Sequence, residues 1–183
     1  MSNQDYTLHS GGAPGAEALF GENAERWGVQ EVNFSFEGHT TIRERGLKLL
    51  NGKELMTGDV SLAYVGKLMN REYRDTPFFR NVLRSIWHQV NDGQQIFVVG
   101  TINDDGTVKG GTGWGAEFAK LCNKPLYVFE QSVGAWMHWR DSAFHRCETP
   151  PSITEKDFTG TGTRQLEDNG KQAITELFAR SFS

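Results

Sequence analysis

Short apolar runs alternate along this chain with longer segments whose apolar residues recur at helical spacing. The runs Gln95–Gly100 and Pro125–Phe129 are almost continuously apolar, which is typical of strands buried in a parallel sheet. A long helix is predicted to begin at Thr76-Pro77, where an N-cap residue precedes proline at the first helical position. Its apolar face consists of Phe79, Val82, Leu83, Ile86, Trp87 and Val90. Strands that alternate with helices in this way predict an α/β fold.

The rest of the hydrophobic pattern predicts the other elements of the α/β fold. Further strands are predicted at 6–9, 31–36 and 157–159, further helices at 16–27, 112–122 and 166–180, one helix within 42–75, and a small β-hairpin within 134–148. Arg80 and Arg84 fall on another face of the helix that follows Thr76, and we expect that face to contact solvent. The order of elements predicts a Rossmann-like, mainly parallel sheet with helices on both faces, in a single domain over 1–183.

Glycine-rich segments come between predicted strands and predicted helices at three places: Ser10–Glu17, Gly110–Glu117 and Thr159–Arg164. Glycine lets the backbone approach a ligand closely, and a helix start adds unpaired N–H donors and a partial positive charge. Such turns are typical of phosphate sites, although each can also be a tight turn that packs against its helix. The candidate ligand-binding residues are Gly11, Gly12, Ala13, Gly15, Gly110, Gly111, Thr112, Gly113, Thr161, Gly162, Thr163 and Arg164.

Charged residues near these turns extend the candidate site. Arg164 directly follows a glycine turn, and its guanidinium fits phosphate or carboxylate. Glu17 and Glu117 are expected in the first turns of their helices, where the helix dipole alone favours acidic residues and where a carboxylate could also act on a ligand. His39 follows a strand and could act as an acid or base, or have no role.

Other polar and aromatic residues are weaker candidates. Asn70, Arg71 and Arg74 could approach the same sheet edge, but we expect them to be solvated. The histidines of the predicted hairpin have no metal-ligand spacing, so no metal is predicted. The hairpin's aromatic residues could stack on a base, although we expect packing or an interface: Trp136, Trp139 and Phe144.

Composition narrows the classes of protein that the chain could belong to. The formal net charge of -4 argues against a general nucleic-acid binder. Cys122 and Cys147 are expected to be free thiols, because they lack metal-ligand spacing and no secretory signal is seen. No apolar run approaches the ~20 residues that span a bilayer. We therefore expect a soluble cytoplasmic protein, and further expect a homodimer or higher homo-oligomer.

The glycine segments resemble motifs of the SLOG superfamily, a Rossmann-like group that joins the DNA-processing protein A fold to the "Lonely Guy" phosphoribohydrolases. Leu8–Glu17 resembles that group's strand–GGAxGAD/E–helix element. Gly110–Gly113 with Glu117 is similar to its GGxGTxxE element, although Trp114 and Gly115 depart from the usual neighbours. Phe158–Arg164 resembles its first strand and GSR-like turn, which precedes the GGA element in most members. The resemblance therefore implies a circular permutation, which nearby termini would tolerate.

The resemblance also implies a class of ligand and a reaction. The expected ligand is a nucleoside monophosphate, a nucleotide-sugar or an ADP-ribose-like molecule, held without a cofactor. The implied reaction is hydrolysis of an N-glycosidic bond, with Glu117 as the leading carboxylate for an oxocarbenium-like sugar. A non-catalytic module that senses or sequesters a nucleotide is the alternative. Single-stranded nucleic-acid binding, as in the DNA-processing members, is a third possibility, and the acidic charge balance counts against it. No membrane partner is expected.

Overall fold

The computed structural model describes residues 2–72 and 76–183. Within them a single mixed sheet of eight strands has the order β3-β2-β1-β8-β4-β5-β6-β7. The strands are β1 Thr7–Ser10, β2 Gln30–Ser35, β3 Leu47–Leu49, β4 Gln95–Gly100, β5 Leu126–Glu130, β6 Ala135–Arg140, β7 Ala143–Arg146 and β8 Asp157–Gly162. The α-helices are α1 Ala16–Arg26, α2 Gly52–Met56, α3 Asp59–Leu68, α4 Pro77–Asp92, α5 Thr112–Leu121 and α6 Asp168–Phe182.

Pairing is parallel from β3 to β5, and it is antiparallel between β5 and β6 and within the β6–β7 hairpin at one edge. Alternate residues of the central strand β4 enter two separate cores. Phe97 and Val99 pack with α1 and α6 on one face, whereas Ile96 and Val98 pack with α3, α4 and α5 on the other. The predicted α/β sheet with helices on both faces and a small hairpin is therefore confirmed.

Strand β8 is longer than the sequence predicts, and it lies in the middle of the sheet. The segment 160–162, interpreted above as part of a turn, continues the strand and pairs with β4. A Cβ on Gly160 would lie 2.4 Å from the ring of Phe20, so glycine here lets α1 pack directly on β8. The third turn therefore begins only at Thr163.

Both termini lie at one place on the molecule, where the rings of Tyr6 and Phe182 are 5.2 Å apart in an edge contact. If the short edge strand β3 is left aside and the strands are numbered from β8, the parallel strands β2, β1, β8, β4 and β5 take the order 3-2-1-4-5. This is the order of doubly wound nucleotide-binding sheets, and their ligands bind where the order reverses. In this chain that point lies between the carboxyl ends of β8 and β4.

In residues 42–72, the described part of the segment 42–75, two helices stand where the apolar spacing predicts one. This part contains β3, α2 and α3, and Asn51 caps α2 by accepting bonds from the backbone N–H groups of Lys53 and Glu54. Gly58 lies between α2 and α3 and packs closely against Trp87 of α4. A Cβ on Gly58 would lie only 2.9 Å from the indole ring. Close packing on α4, which periodicity cannot reveal, divides the helix.

The polar face of α4 contacts α2 and α3, so the expectation that it is solvated is wrong for Arg84. Arg84 donates from Nε and Nη2 to the Asp59 carboxylate at 2.6 and 2.7 Å. His88 Nε2 lies 2.8 Å from the carbonyl oxygen of Glu54. The predicted N-cap is confirmed, since Thr76 Oγ1 accepts a bond from the backbone N–H of Phe79.

Within the described residues, none of the helices is both long enough and apolar enough to cross a membrane.

Lys124 stabilises the end of α4, and its removal should be measurable. Its ammonium donates to the carbonyls of Val90, Asn91 and Gly93 at 2.7, 2.6 and 2.6 Å. We expect Lys124→Met to lower the free energy of unfolding by about 1 to 2 kcal/mol, because it removes the donor to these helix-end carbonyls. Urea denaturation would measure this. Lys171→Met, which removes an exposed pair with Asp168, should leave it nearly unchanged, because solvent screens such a pair. If both variants lost the same free energy of unfolding, Lys124 would not stabilise the end of α4.

Candidate functional site

A cavity of about 620 Å³ opens at the carboxyl edge of the sheet, within the ~300 to 1,000 Å³ typical of ligand sites. The ends of β4 and β8 form its floor, and the starts of α1, α4 and α5 form its walls. This is the point at which the strand order reverses. The three glycine segments, which are far apart in the sequence, each contribute to the lining.

The structure brings most of the predicted ligand-binding residues to this cavity. Those that line it are Ala13, Gly110, Gly111, Thr112, Thr161, Gly162, Thr163 and Arg164. Those outside the lining are Gly11, Gly12, Gly15 and Gly113, together with the candidate catalytic residue Glu117. The second and third segments thus face the cavity directly, whereas the first contributes through Ala13 and Glu17.

The glycines of the first segment serve close packing between turns. The Gly12 carbonyl accepts bonds from Thr41 Oγ1 at 2.9 Å and from the backbone N–H of Ile42 at 3.0 Å, so the 37–46 loop covers it. Gly15 has a φ of +97°, and a Cβ there would lie 2.6 Å from the Cα of Arg164. This segment therefore matches the structural interpretation left open above, a tight turn packed against its neighbours.

Glu17 occupies the cavity wall with its side chain buried. Its carboxylate accepts a bond from the backbone N–H of Ala13 at 3.1 Å and another from Thr161 Oγ1 at 2.8 Å. Burial raises the pKa of this carboxyl, and the hydrogen bonds together with the charge of Arg164 only partly oppose that effect. A carboxyl with a raised pKa that faces a cavity is a candidate proton donor.

Glu117 lies elsewhere, although the sequence resemblance favoured it. It is the sixth residue of α5 and not in the first turn, so it lies about 140° around the helix from Thr112. Its carboxylate is 2.5 Å from Lys120 Nζ. That ammonium lies over the ring of Trp139, 3.8 Å from the centroid. Glu117 therefore takes part in attaching α5 to the hairpin, and the hairpin aromatic Trp139 packs there as expected.

Comparisons of the chain with protein-family models, with curated proteins and with solved structures found no significant match. The site must therefore be interpreted from its own geometry. Among residues 2–72 and 76–183, no group of three or more His, Cys, Asp or Glu side chains is placed to hold a metal ion.

His39, for which an acid–base role and the absence of a role were both left open above, also lines the cavity. Its Nδ1 lies 3.0 Å from Ser35 Oγ, and its ring stacks on Phe36 with the centroids 4.7 Å apart. Burial lowers the pKa of the imidazole, and the charge of Arg164 lowers it further. Both effects favour the neutral imidazole.

Sequence reasoning did not single out Lys109, Phe78, Phe79 and Gln89 as site residues, yet all four line the cavity. A signal was available for the phenylalanines. The Thr76-Pro77 helix start fixes the beginning of α4, and a helix that runs antiparallel to the strands begins at their carboxyl edge. Phe78 and Phe79 are the next two residues.

Arg71 holds the loop that leads to the second glycine segment. Its Nη1 donates to the Val108 carbonyl at 3.0 Å, and its Nη2 donates to Thr107 Oγ1. The expectation that Arg71 is solvated is therefore wrong. Asn70 has a φ of +48° and is exposed, as expected. Arg74 lies outside the described residues.

Proposed function

We propose that the cavity binds a nucleoside phosphate and hydrolyses its N-glycosidic bond, with Glu17 as the reacting carboxyl. One observation carries the proposal: two cationic side chains, an uncovered helix start and a buried carboxyl meet in one cavity. Lys109 and Arg164 are the cations, and Gly110–Thr112 forms the helix start. A nucleoside phosphate requires cationic and N–H groups at its phosphate and a carboxyl group near its sugar, a short distance away.

The start of α5 suits a phosphate. A Cβ built on Gly110 or on Gly111 would meet nothing within 4 Å, so a ligand can reach the backbone directly. The N–H groups of Gly113 and Trp114 bond to the carbonyls of Gly110 and Gly111 at 3.2 and 3.0 Å, so a ligand would meet the backbone N–H groups that precede them. The start of the helix adds a partial positive charge. Lys109 precedes the turn and adds a full charge. Backbone donors next to a lysine are a common way to hold phosphate.

Glu17 suits the bond that breaks. In the proposed reaction the C1′–N bond breaks, the base leaves with the electron pair, and water forms a bond to C1′. The protonated Glu17 carboxyl gives its proton to the leaving nitrogen, and the carboxylate then accepts a proton from the attacking water. The products are the free base and the sugar phosphate, and Glu17 returns to its starting form. The raised pKa of Glu17 supports this role, because it favours the protonated carboxyl.

The resemblance to the SLOG superfamily is consistent with the proposal. The strand order counted from β8 and the contact between Tyr6 and Phe182 are what a circularly permuted member would have. The position of Glu117 favours the alternative of a non-catalytic sensor, because the carboxylate implied by that resemblance bonds Lys120 instead of facing the cavity. Release of free base from a bound nucleotide would distinguish the hydrolase from the sensor.

The test uses AMP, GMP, CMP, UMP and ADP-ribose with the full chain. Calorimetry measures binding, and chromatography of the mixture measures free base. We expect at least one ligand to bind and to release its base, whereas binding without release would support the sensor. If none of these compounds binds, the proposal is wrong.

Arg164→Ala should weaken binding of that ligand by about 10- to 100-fold, since a hydrogen bond to a charged group contributes about 1.5 to 3 kcal/mol. Titration calorimetry with the same nucleotide would measure the change. Arg26→Ala, which changes an exposed arginine at the far end of α1, is the matched control and should bind like the wild type. Equal affinities of wild type and Arg164→Ala would exclude the arginine from the site.

A further inference from the structure

We infer that Phe78 and His39 form a subsite for the nucleobase, with Phe78 as the stacking surface and His39 as the polar contact to the base edge. The inference rests on the proposed function, because it assigns the base end of the same ligand. It goes beyond that function, because it predicts a preference for nucleotides over sugar phosphates. Neither residue belongs to the glycine segments.

The aromatic residues at this end of the cavity form a cluster with one exposed member. Phe36 is buried, stacks on His39, and meets Phe78 at 5.6 Å in an edge contact. Phe78 itself is 49 % exposed and lines the cavity. The Phe78 ring is thus supported by Phe36 and lines the cavity. Such a ring offers a surface on which a planar base can stack.

His39 supplies a polar group beside that surface. Its ring centroid is 6.4 Å from that of Phe78. Ser35 Oγ engages Nδ1, and no hydrogen bond to Nε2 occurs among the described residues, so Nε2 is the nitrogen left for a ligand. A neutral imidazole can donate to or accept from a ring nitrogen or carbonyl of a base.

The strand order sets the distance between this subsite and the phosphate end. His39 follows β2 and Gly110 follows β4, and β1 and β8 lie between those strands. Adjacent strands are about 4.8 Å apart, so the carboxyl ends of β2 and β4 are separated by about 14 Å, a distance on the scale of an extended nucleotide. Glu17 follows β1 and lies between them. A ligand that lies across the sheet edge in this way has its sugar near Glu17.

The experiment compares each nucleoside monophosphate with ribose 5-phosphate, which has the phosphate and sugar but no base. We expect the wild type to bind its best monophosphate more tightly than ribose 5-phosphate. Phe78→Ala should weaken monophosphate binding by about 5- to 100-fold, the size of a lost base–aromatic stack, and leave ribose 5-phosphate binding unchanged. Phe78→Trp should restore the preference.

Tyr64→Ala provides the matched control, because Tyr64 is also a half-exposed aromatic residue but lies on α3 outside the cavity lining. It should leave both affinities unchanged. If Phe78→Ala weakens both ligands equally, or neither, the base subsite is wrong while the phosphate site stands. If the wild type binds ribose 5-phosphate as tightly as every monophosphate, the subsite is also wrong. If it binds neither kind of ligand, the proposed function fails with it.

Discussion

Glu17→Gln should lower the rate of N-glycosidic hydrolysis by about 10²- to 10⁴-fold, the usual contribution of a positioned proton donor. Glutamine keeps the size of the side chain, and its amide can still bond with the Ala13 N–H and the Thr161 hydroxyl. It cannot deliver a proton to the leaving base. Chromatography of free base under single-turnover conditions would measure the rate, and calorimetry would show whether the ligand still binds.

The same substitution should change stability with a definite dependence on pH. Burial raises the pKa of Glu17 in the folded protein above its ordinary value of 4.5. Below that value both folded and unfolded chains are protonated, so burial carries no electrostatic penalty. As the pH rises through the raised folded pKa, the wild type loses stability that the glutamine variant keeps. We expect Glu17→Gln to raise Tm by about 1 to 8 °C at pH 8 and by much less at pH 4.5.

Two carboxyl groups serve as comparisons for Glu17. Glu22→Gln changes an exposed residue of the same helix and should alter neither the rate nor the pH dependence of Tm. Glu117→Gln should keep the rate, because Glu117 bonds Lys120 and does not line the cavity. If Glu117→Gln abolishes hydrolysis and Glu17→Gln does not, the residue implied by the resemblance is the correct one.

Arg43→Met should lower the free energy of unfolding by about 3 kcal/mol, because it leaves the Glu31 carboxylate without its main partner. The Glu31 side chain has 0 % exposure, and Arg43 donates to it from Nε at 3.1 Å and from Nη2 at 2.8 Å. Uncompensated buried charges of this kind cost about 3 to 5 kcal/mol, and we expect the low end because Arg45 is 3.4 Å away. Tm should fall by at least about 6 °C in a thermal melt.

Arg45→Met is the matched control for that loss. Arg45 contacts the same carboxylate, but its side chain is 39 % exposed and the contact is longer, so the loss should be below about 1 kcal/mol. Comparable losses in the two variants would contradict the assigned importance of Arg43. Because Arg43 holds the 37–46 loop, its substitution should also displace Thr41 and His39 and weaken nucleotide binding.

The sequence predicted the fold class well where a run of residues is buried on both faces or has a clear cap. Gln95–Gly100 matches β4, and the Thr76-Pro77 signal marks the start of α4. The hairpin also lies within its predicted bounds. Such local signals depend on neighbours in the chain, which the sequence contains. A cytoplasmic location and a homo-oligomeric state stay predictions.

The candidate site was only partly predictable. The glycine segments were found because glycine marks close backbone approach, yet the sequence could not distinguish the open cavity beside Gly111 from the neighbouring turn packed against Gly15. It also could not rank Glu17 against Glu117. Both follow a glycine segment near a helix start. They differ in the side of the helix from which the side chain projects, and therefore in which element, distant in the sequence, each one contacts.

By itself, then, the sequence determined the alternation of strands and helices, the glycine segments and the presence of acidic residues beside them. Only the tertiary structure decided which of these meet. β8 enters the centre of the sheet from the end of the chain, and this brings Thr161 to the Glu17 carboxylate across 144 positions. α4 brings Phe78 to His39. Long-range packing makes these contacts, because whether a side chain faces a cavity or a neighbouring element depends on the strand order and on which helix covers which face.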